Sequence, residues 1–338
     1  YNKAGAVNRI ELLQPDGSVK VCTGKKECEE AILKEISVRF EQAESAPICQ
    51  GALFDLLGYG ANTKTAIEIL EGRFDAPEGT DDATLTLFEE IGRIWKLMES
   101  GEVDIKVTKE DFQYYWKKVR ERTASSYSGL HFGHYIAAAF SDRLSEIHAL
   151  KLSIITKTGC APDRWARGLT VMLENIAGVA LVTKLRAILL MEADFNCHNK
   201  LIFGSRMMAL GREHGLVPDE IFSAKGKTAE DAILLQTLVY DYARQRRLTM
   251  VTSSVDAAQC YDRMAHSMLA LTLRACKVPQ SSVNCMLQSI REMQFYLRTA
   301  FGESSISAGG KNQVKQGSCQ GNGAAPAGFD RESTVMLG

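Results

Sequence analysis

The spacing of hydrophobic residues predicts helices throughout the first 120 residues. Apolar residues recur at helical intervals in three segments, 25–37, 66–72 and 83–100. Thr63 is placed to cap the second of these helices at its N-terminus. The acidic residues are spread out, and no His, Cys or Ser stands in a catalytic arrangement. Residues 1–120 are therefore predicted to be a mostly helical N-terminal spacer without chemistry of its own.

The rest of the chain mixes helical and strand patterns. Helical spacing recurs in three segments, 134–150, 154–175 and 261–276. The run 248–255 is rich in β-branched residues and uncharged, which predicts a buried strand. Alternating apolar residues in 294–307 predict a hairpin with its turn at Gly302 and Glu303. Together these patterns predict an α+β fold for residues 121–338.

Composition narrows the class of protein without selecting a function. The chain has 338 residues, of which 45% are hydrophobic, enough for a sizeable core. No stretch reaches the roughly 18 apolar residues of a membrane helix, so no membrane partner is expected. The formal net charge of −1 lacks the basic excess of a dedicated nucleic-acid binder, although a polymerase can confine basic residues to one channel. The 9 cysteines show no paired spacing, which favours reduced intracellular thiols over disulfides or zinc.

The main candidate for chemistry is a carboxylate at the end of the predicted strand. Asp256 follows residues 248–255, and a helical pattern begins five residues later at Tyr261. A carboxylate in this position can hold a divalent ion, because Mg²⁺ prefers oxygen ligands. Two such ions can catalyse phosphoryl transfer by stabilising the attacking and leaving oxygens. An Asp at a strand end can also simply cap a helix, and the residues alone leave both interpretations open.

Asp256, with Tyr261 and Asp262 after it, resembles the first catalytic motif of reverse transcriptases from non-LTR retrotransposons of the LINE type. The resemblance implies that Asp256 is the catalytic residue and binds both Mg²⁺ ions. It implies that Tyr261 binds the incoming dNTP and excludes a 2′-hydroxyl by bulk. Asp262 would hold the local structure.

Residues 186–190, with Asp194, Lys200 and Arg206 after them, resemble a fingers segment of the same family. The resemblance implies that Arg186 contacts the dNTP triphosphate, since a planar guanidinium suits phosphate oxygens. Lys200 would have a template-contacting or structural role. Ala187 stands where the family usually has Pro, which should loosen the turn without removing the contact.

Upstream segments match in the order that the family requires. Residues 128–131 resemble its Gly-rich loop. Pro162, Trp165 and residues 171–175 resemble the entry into a fingers strand that normally ends in a triphosphate-binding Lys. Asn175 stands at the place of that Lys, and Lys184 is the candidate substitute for dNTP binding.

Two downstream segments complete the resemblance. Residues 222–231, which include Gly226 and Lys227, resemble the template-contacting segment, although the residues alone indicate only a loop with Thr228 as a helix cap. Gln320 and Gly321, with a Pro six residues after the Gln, resemble the second motif. That motif implies contacts with the nucleotide base and template, and Gly lets the backbone come close.

The resemblance covers residues 123–329 and implies the fingers and incomplete palm of a right-hand polymerase over 121–338, with the thumb absent. The implied activity is that of an RNA-directed DNA polymerase, which adds dNTPs to a DNA primer on an RNA template with two Mg²⁺ ions. We expect an upstream endonuclease domain in the full-length protein, joined through the spacer. The expected location is intracellular, in the nucleus or in a cytoplasmic ribonucleoprotein.

The sequence departs from the family at its end. The third motif, a hairpin with two adjacent aspartates, does not occur, and residues 330–335 interrupt the apolar helix expected after Pro326. One carboxylate cannot hold two Mg²⁺ ions against hydration, so we predict that the isolated chain has no polymerase activity.

Other classes of protein remain as alternatives. The main one is a catalytically dead retroelement remnant that at most binds nucleic acid. An all-helical interaction protein with chance motif matches is disfavoured by the predicted strand and hairpin. A hydrolase is disfavoured because no zinc pair or Ser-His arrangement occurs. The following histidines are interpreted as structural: His131, His134, His198 and His266.

Overall fold

A computed structural model shows a mixed α+β fold, which confirms the predicted class. The structure describes residues 7–120, 126–216, 222, 226–253, 257 and 259–337. No helix in this described part is long and apolar enough to cross a membrane.

Residues 7–120 open with a β-hairpin that the hydrophobic spacing did not predict. Strand β1 (Ile10–Leu13) pairs antiparallel with β2 (Val19–Cys22). The helices that follow are α1 (Lys25–Glu41), α2 (Gly51–Leu57), α3 (Lys64–Leu70), α4 (Asp82–Leu97) and α5 (Lys109–Trp116). The three predicted helices correspond to α1, α3 and α4. Thr63 caps α3 as predicted, with its Oγ1 accepting a hydrogen bond from the Ala66 amide at 3.3 Å.

The two helical patterns predicted next are partly wrong. The first forms two helices, α6 (Phe132–Ala139) and α7 (Asp142–Thr158), because Ser141 caps a new helix by accepting from the Leu144 amide. The second ends with α7, and its later residues form strand β3 (Arg167–Glu174). This run is apolar on both faces of the strand, so its spacing cannot separate a buried strand from a buried helix. The family resemblance, which predicted a strand here, was correct on this point.

One sheet carries the segments of interest. Strand β3 pairs antiparallel with β4 (Leu185–Leu190) and parallel with β5 (Gln294–Thr299). The short strands β6 (Gly302–Glu303) and β7 (Ala308–Gly309) both pair with β5. The predicted hairpin at 294–307 is confirmed, but its turn lies at residues 300–301, and Gly302 and Glu303 begin the second strand.

The remaining helices lie between β4 and β5 along the chain, except α13, which follows β7. They are α8 (Ala193–Leu201), α9 (Met208–Glu213), α10 (Ala229–Arg246), α11 (His266–Ala275), α12 (Gln280–Arg291) and α13 (Ala325–Leu337). Helix α11 starts later than the pattern predicted, since residues 260–262 form a 3-10 turn. The predicted interruption at residues 330–335 is wrong, because α13 continues through them and buries Arg331 and Glu332.

The strand predicted at 248–255 is wrong over its described part. Residues 248–253 have no strand partner, and the side chain of Val251 is 89% exposed. A strand is stable only when its backbone groups pair with a neighbour, and no described strand lies beside this segment. Residues 254–256 lie outside the described residues.

The hydrophobic core is shared by the two predicted domains. Phe40 of α1 stacks on Phe295 of β5 with ring centroids 5.1 Å apart. Trp116 of α5 stacks on Tyr135 of α6 at 4.6 Å, and α4 packs against α11 and α13. The helices before residue 120 thus pack directly on the sheet and helices that follow it.

Candidate nucleotide-binding site

The main predicted catalytic residue, Asp256, lies outside the described residues. The rest of its motif is described: Tyr261 and Asp262 belong to the 3-10 turn at Cys260–Asp262. Tyr261 is half-buried, and its ring meets Phe329 of α13 edge-to-face at 6.0 Å. The position of the first motif is therefore described through Tyr261 and Asp262.

The turn that carries Tyr261 is bonded to the Gln-Gly loop, which we define as residues 317–323. The Ser318 amide donates to the Tyr261 carbonyl oxygen at 2.7 Å, and the Gly317 amide donates to the Met264 carbonyl at 2.9 Å. Backbone hydrogen bonds of this length fix two segments against each other independently of their side chains. The described part of the first predicted motif and the second motif are therefore neighbours in space.

The Gln-Gly loop also contacts the edge of β4. The Leu189 amide donates to the Gln320 carbonyl oxygen at 2.8 Å. Gly321 has φ +114°, and a Cβ built there would collide with the Leu189 carbonyl oxygen. Only glycine tolerates both this conformation and this approach. Gly321 is therefore required for a close approach to the backbone of β4. Its predicted approach to the nucleotide base and template stays a prediction.

Helix α8 holds the same loop from the other side. The Asn196 Oδ1 accepts from the Gly323 amide at 2.6 Å, and Asn199 Nδ2 donates to Asn322 Oδ1 at 2.9 Å. The exposed residue Lys200 lies one position further, and its Cβ is close to Gly323. Neither asparagine was predicted from the sequence as a functional residue. Their spacing of three on a helix was the only signal, and it is typical of many solvated helices.

The predicted phosphate-binding residues lie at the start of β4. Arg186 is exposed on β4, opposite Leu173 of β3, and Lys184 is exposed at the end of the 3-10 turn Val182–Lys184. The two cations flank Leu185 and are not consumed by any ion pair that the structure records. Both side chains are exposed to solvent.

Behind β4, two buried carboxylates begin α8. Asp194 accepts from Trp165 Nε1 at 2.9 Å and from Lys151 Nζ at 2.9 Å, and Arg164 pairs with both Asp194 and Glu192. Burial alone would raise the pKa of Asp194, but Arg164 and Lys151 outweigh it and hold that pKa below its ordinary value. We call this cluster, made of Lys151, Arg164, Trp165, Glu192 and Asp194, the structural lock.

Three residues that resemble the family take part in this cluster or bond to it: Trp165, Asp194 and Ser128. Trp165 and Asp194 bond each other, and Ser128 of the predicted Gly-rich loop donates to Glu192 Oε2 at 2.9 Å. Arg206, by contrast, donates to the carbonyls of Asp104 and Lys106, at 2.7 and 2.8 Å. These residues hold segments together and do not face an open site.

Asp262 does not fit the role of a metal ligand. Its side chain is buried, and its Oδ1 has no hydrogen-bond partner among the described residues. Burial raises the pKa of Asp262 to about 6, while the charge of Arg39 partly opposes the rise. In the described part of the chain, no group of three His, Cys, Asp or Glu side chains is arranged to hold a metal ion. Magnesium binding stays a prediction that depends on Asp256.

The predicted template-contacting segment is described only in part. Gly226 is exposed with φ +94°, and Lys227 Nζ lies 5.7 Å from the Phe222 ring centroid. Thr228 and Asp231 form a reciprocal capping box at the start of α10, as the residues alone indicated. These contacts are local to the segment.

Two of the predicted structural histidines are buried at key contacts. His266 Nε2 lies 2.8 Å from the Gly317 carbonyl oxygen, at the start of the Gln-Gly loop. Burial lowers the pKa of both His266 and His198 to about 4. Neutral imidazoles of this kind are packing elements rather than acid–base groups at neutral pH.

A scan of protein-family models and a search of curated proteins find no match to this chain. The family resemblance therefore depends on the motifs and on where the structure places them.

Proposed function

We propose that this chain is the fingers and incomplete palm of a reverse transcriptase from a LINE-type retrotransposon. Its activity in an intact enzyme would be RNA-directed DNA synthesis, by nucleotidyl transfer to a DNA primer. The observation that supports this most is the backbone bonding that joins three separate motif segments. Tyr261 bonds Ser318, and Gln320 bonds Leu189 on the strand that carries Arg186.

The three segments are far apart in the sequence, and each was predicted from its own motif without reference to its contacts with the others. Tyr261 was predicted to contact the sugar, Gln320 and Gly321 the base and template, and Arg186 the triphosphate. One nucleotide can touch all three only if the segments are neighbours. Contact between the three segments is what a nucleotide site requires, and the backbone bonds between them support the proposal.

Each described side chain has a defined part in this proposal. Arg186 and Lys184 would bind the triphosphate oxygens, and the half-buried Tyr261 would limit the space beneath the sugar. In an intact enzyme, Asp256 and the aspartates of the third motif, which this sequence lacks, would hold Mg²⁺, and the ions would supply charge stabilisation for nucleotidyl transfer. Lys200, Gly226 and Lys227 would face the template or hold the loops that do.

Calorimetric titration of the 338-residue chain with dGTP tests the proposal. We expect binding that weakens at least about tenfold in Arg186→Ala, because a charge-assisted contact with phosphate contributes roughly 1.5–3 kcal/mol. dGMP, which lacks the β- and γ-phosphates, should be insensitive to the same substitution. Failure of dGTP to bind, or equal binding by Arg186→Ala, would overturn the proposal.

A second candidate, the catalytically dead remnant, is favoured by one observation. Residues 248–253, which lead into Asp256, are exposed and unpaired, so the described structure gives that carboxylate no rigid strand. Both candidates predict no DNA synthesis by this chain, so extension of a DNA primer on an RNA template with Mg²⁺ is a test that can reject the remnant. We expect no incorporation by this chain. Incorporation that is lost in Asp256→Ala would show a working polymerase and reject the remnant.

A further inference from the structure

Arg39, in the predicted spacer, is buried against the start of the strand that carries Arg186. Its side chain is 3% exposed. Its NH1 donates to the Leu185 carbonyl at 2.8 Å and its NH2 to the Val182 carbonyl at 2.9 Å. Its Nε donates to Glu35 Oε1 at 2.8 Å, so each of the three guanidinium nitrogens donates a hydrogen bond.

These bonds close the turn that carries Lys184. The Leu185 amide donates to the Val182 carbonyl, which is the same oxygen that Arg39 NH2 binds. The Leu185 carbonyl belongs to the peptide that leads into Arg186. One guanidinium therefore fixes the backbone before Lys184 and the peptide after it. A lysine could not reproduce this, because it lacks the planar fork of donors.

The other end of β4 is held by a different contact. The Leu189 amide bonds Gln320, so the strand is fixed at its end by the Gln-Gly loop and at its start by Arg39. Arg39 also acts electrostatically on Asp262, beside Tyr261. The spacer residue is thus linked to both parts of the candidate nucleotide site.

We propose that Arg39 is a positioning residue for phosphate binding by Lys184 and Arg186. It does not touch the nucleotide. It sets the backbone from which both cations extend, so that they meet the same triphosphate. The inference rests on the proposed function and adds to it a role for the region before residue 120.

The test is titration of the full chain with dGTP in four variants and a control. The variants are Arg39→Met, Arg39→Lys, Arg186→Ala and the double variant Arg39→Met/Arg186→Ala. The control is Arg93→Met, which removes an exposed arginine of α4 that pairs with Glu90 on its own helix. We expect Arg39→Met to weaken dGTP binding at least tenfold and Arg93→Met to leave it unchanged. In the Arg186→Ala background, Arg39→Met should weaken binding less than it does in the wild-type chain, because only the contact of Lys184 is left to lose.

Amide hydrogen exchange supplies a readout that is independent of dGTP. We expect Arg39→Met to speed exchange of the Leu185 amide while the Leu189 amide, bonded to Gln320, stays protected. If Arg39→Met does not fold, Arg39→Lys decides, with an expected loss in dGTP affinity of at least threefold. Unchanged affinity in the folded variants would overturn the positioning role alone, as would a full additional loss in the Arg186→Ala background. Absence of dGTP binding by the wild-type chain would overturn the proposed function as well.

Discussion

Gly321 shows how a single residue can decide whether the candidate site assembles. The Gln-Gly loop touches β4 at this residue, where a side chain has neither the conformation nor the space it needs. The contact joins the second predicted motif to the strand of Arg186. Substitution there should disturb the site and the fold together.

We predict that Gly321→Ala lowers the free energy of unfolding by about 3 kcal/mol or more, because strain at positive φ adds to a backbone collision. Gly226→Ala is the matched control. Gly226 has φ +94° but nothing within 4 Å of an added Cβ, so strain alone should cost about 1 kcal/mol. Urea unfolding of both variants measures the difference. Equal losses would show that the loop does not press on β4.

Glu332 is a buried acid with an unusual environment. It lies in α13, and its Oε1 has no hydrogen-bond partner in the described part of the chain. Burial raises its pKa from 4.5 to about 8. The folded state therefore favours the neutral carboxyl, whereas the unfolded chain ionises at a lower pH.

The sign of the pH dependence follows from this difference. The contribution of Glu332 to stability is complete below pH 4.5 and is lost as the pH rises from there through about 8. We predict that Glu332→Gln removes this loss, so that the free energy of unfolding of the variant rises steadily relative to that of the wild-type chain between pH 5 and 8. Denaturant unfolding of both proteins at pH 5 and at pH 8 measures this difference. A constant difference between the two proteins would contradict the raised pKa.

At the scale of elements, the structural lock behind β4 joins α7, α8 and the loop at Ser126–Ser128. Arg164 is bonded to two carboxylates that are almost fully buried. A buried carboxylate without its cation is strongly destabilising, because desolvation is then uncompensated. The junction between β4 and α8 should depend on this arginine.

We predict that Arg164→Met lowers the free energy of unfolding by about 3 kcal/mol or more. Lys109→Met is the control, since Lys109 pairs with the exposed Asp142 at 3.5 Å and such surface pairs contribute under about 1 kcal/mol. Thermal and urea unfolding of both variants provide the comparison. A loss in Arg164→Met no larger than the control would show that the lock is dispensable.

Elements differed in how far the sequence could predict them. Helix α3 was predictable because Thr63 marks its start by a local side-chain bond. Strand β3 was not predictable from spacing, since it is apolar on both faces, although its motif indicated it. Residues 248–253 have strand composition, yet a strand depends on a partner elsewhere in the chain, which composition does not reveal.

The candidate site residues could be proposed from sequence motifs, but the residues that hold their backbone in place could not. Tyr261, Arg186 and Gly321 were proposed from motifs, and the contacts between their segments are backbone bonds that no local pattern encodes. Arg39 and Asn196 were missed because they act on backbone groups far away in sequence. A side chain that binds a distant carbonyl leaves no spacing signal near itself.

At the scale of the whole molecule, the shared core argues that the chain unfolds as a unit. Trp116, before residue 120, stacks on Tyr135, which follows it, and Phe40 stacks on Phe295. Removing either side would expose these large apolar surfaces to water, at a cost of several kcal/mol for each aromatic side chain. The two predicted domains should not melt separately.

Two single-tryptophan variants test this expectation. Trp95→Phe/Trp165→Phe leaves Trp116 as the reporter of the first region, and Trp95→Phe/Trp116→Phe leaves Trp165 as the reporter of the second. Both reporters are fully buried and stacked, so each should change its fluorescence when its surroundings open. We predict that fluorescence and circular dichroism give coincident urea midpoints within each variant, because a shared core makes unfolding cooperative. If the Trp116 signal changes at a lower urea concentration than the circular dichroism does, the region before residue 120 opens independently. Arg39 could not then hold β4 in the partly unfolded state, and nucleotide binding should be lost together with the Trp116 signal.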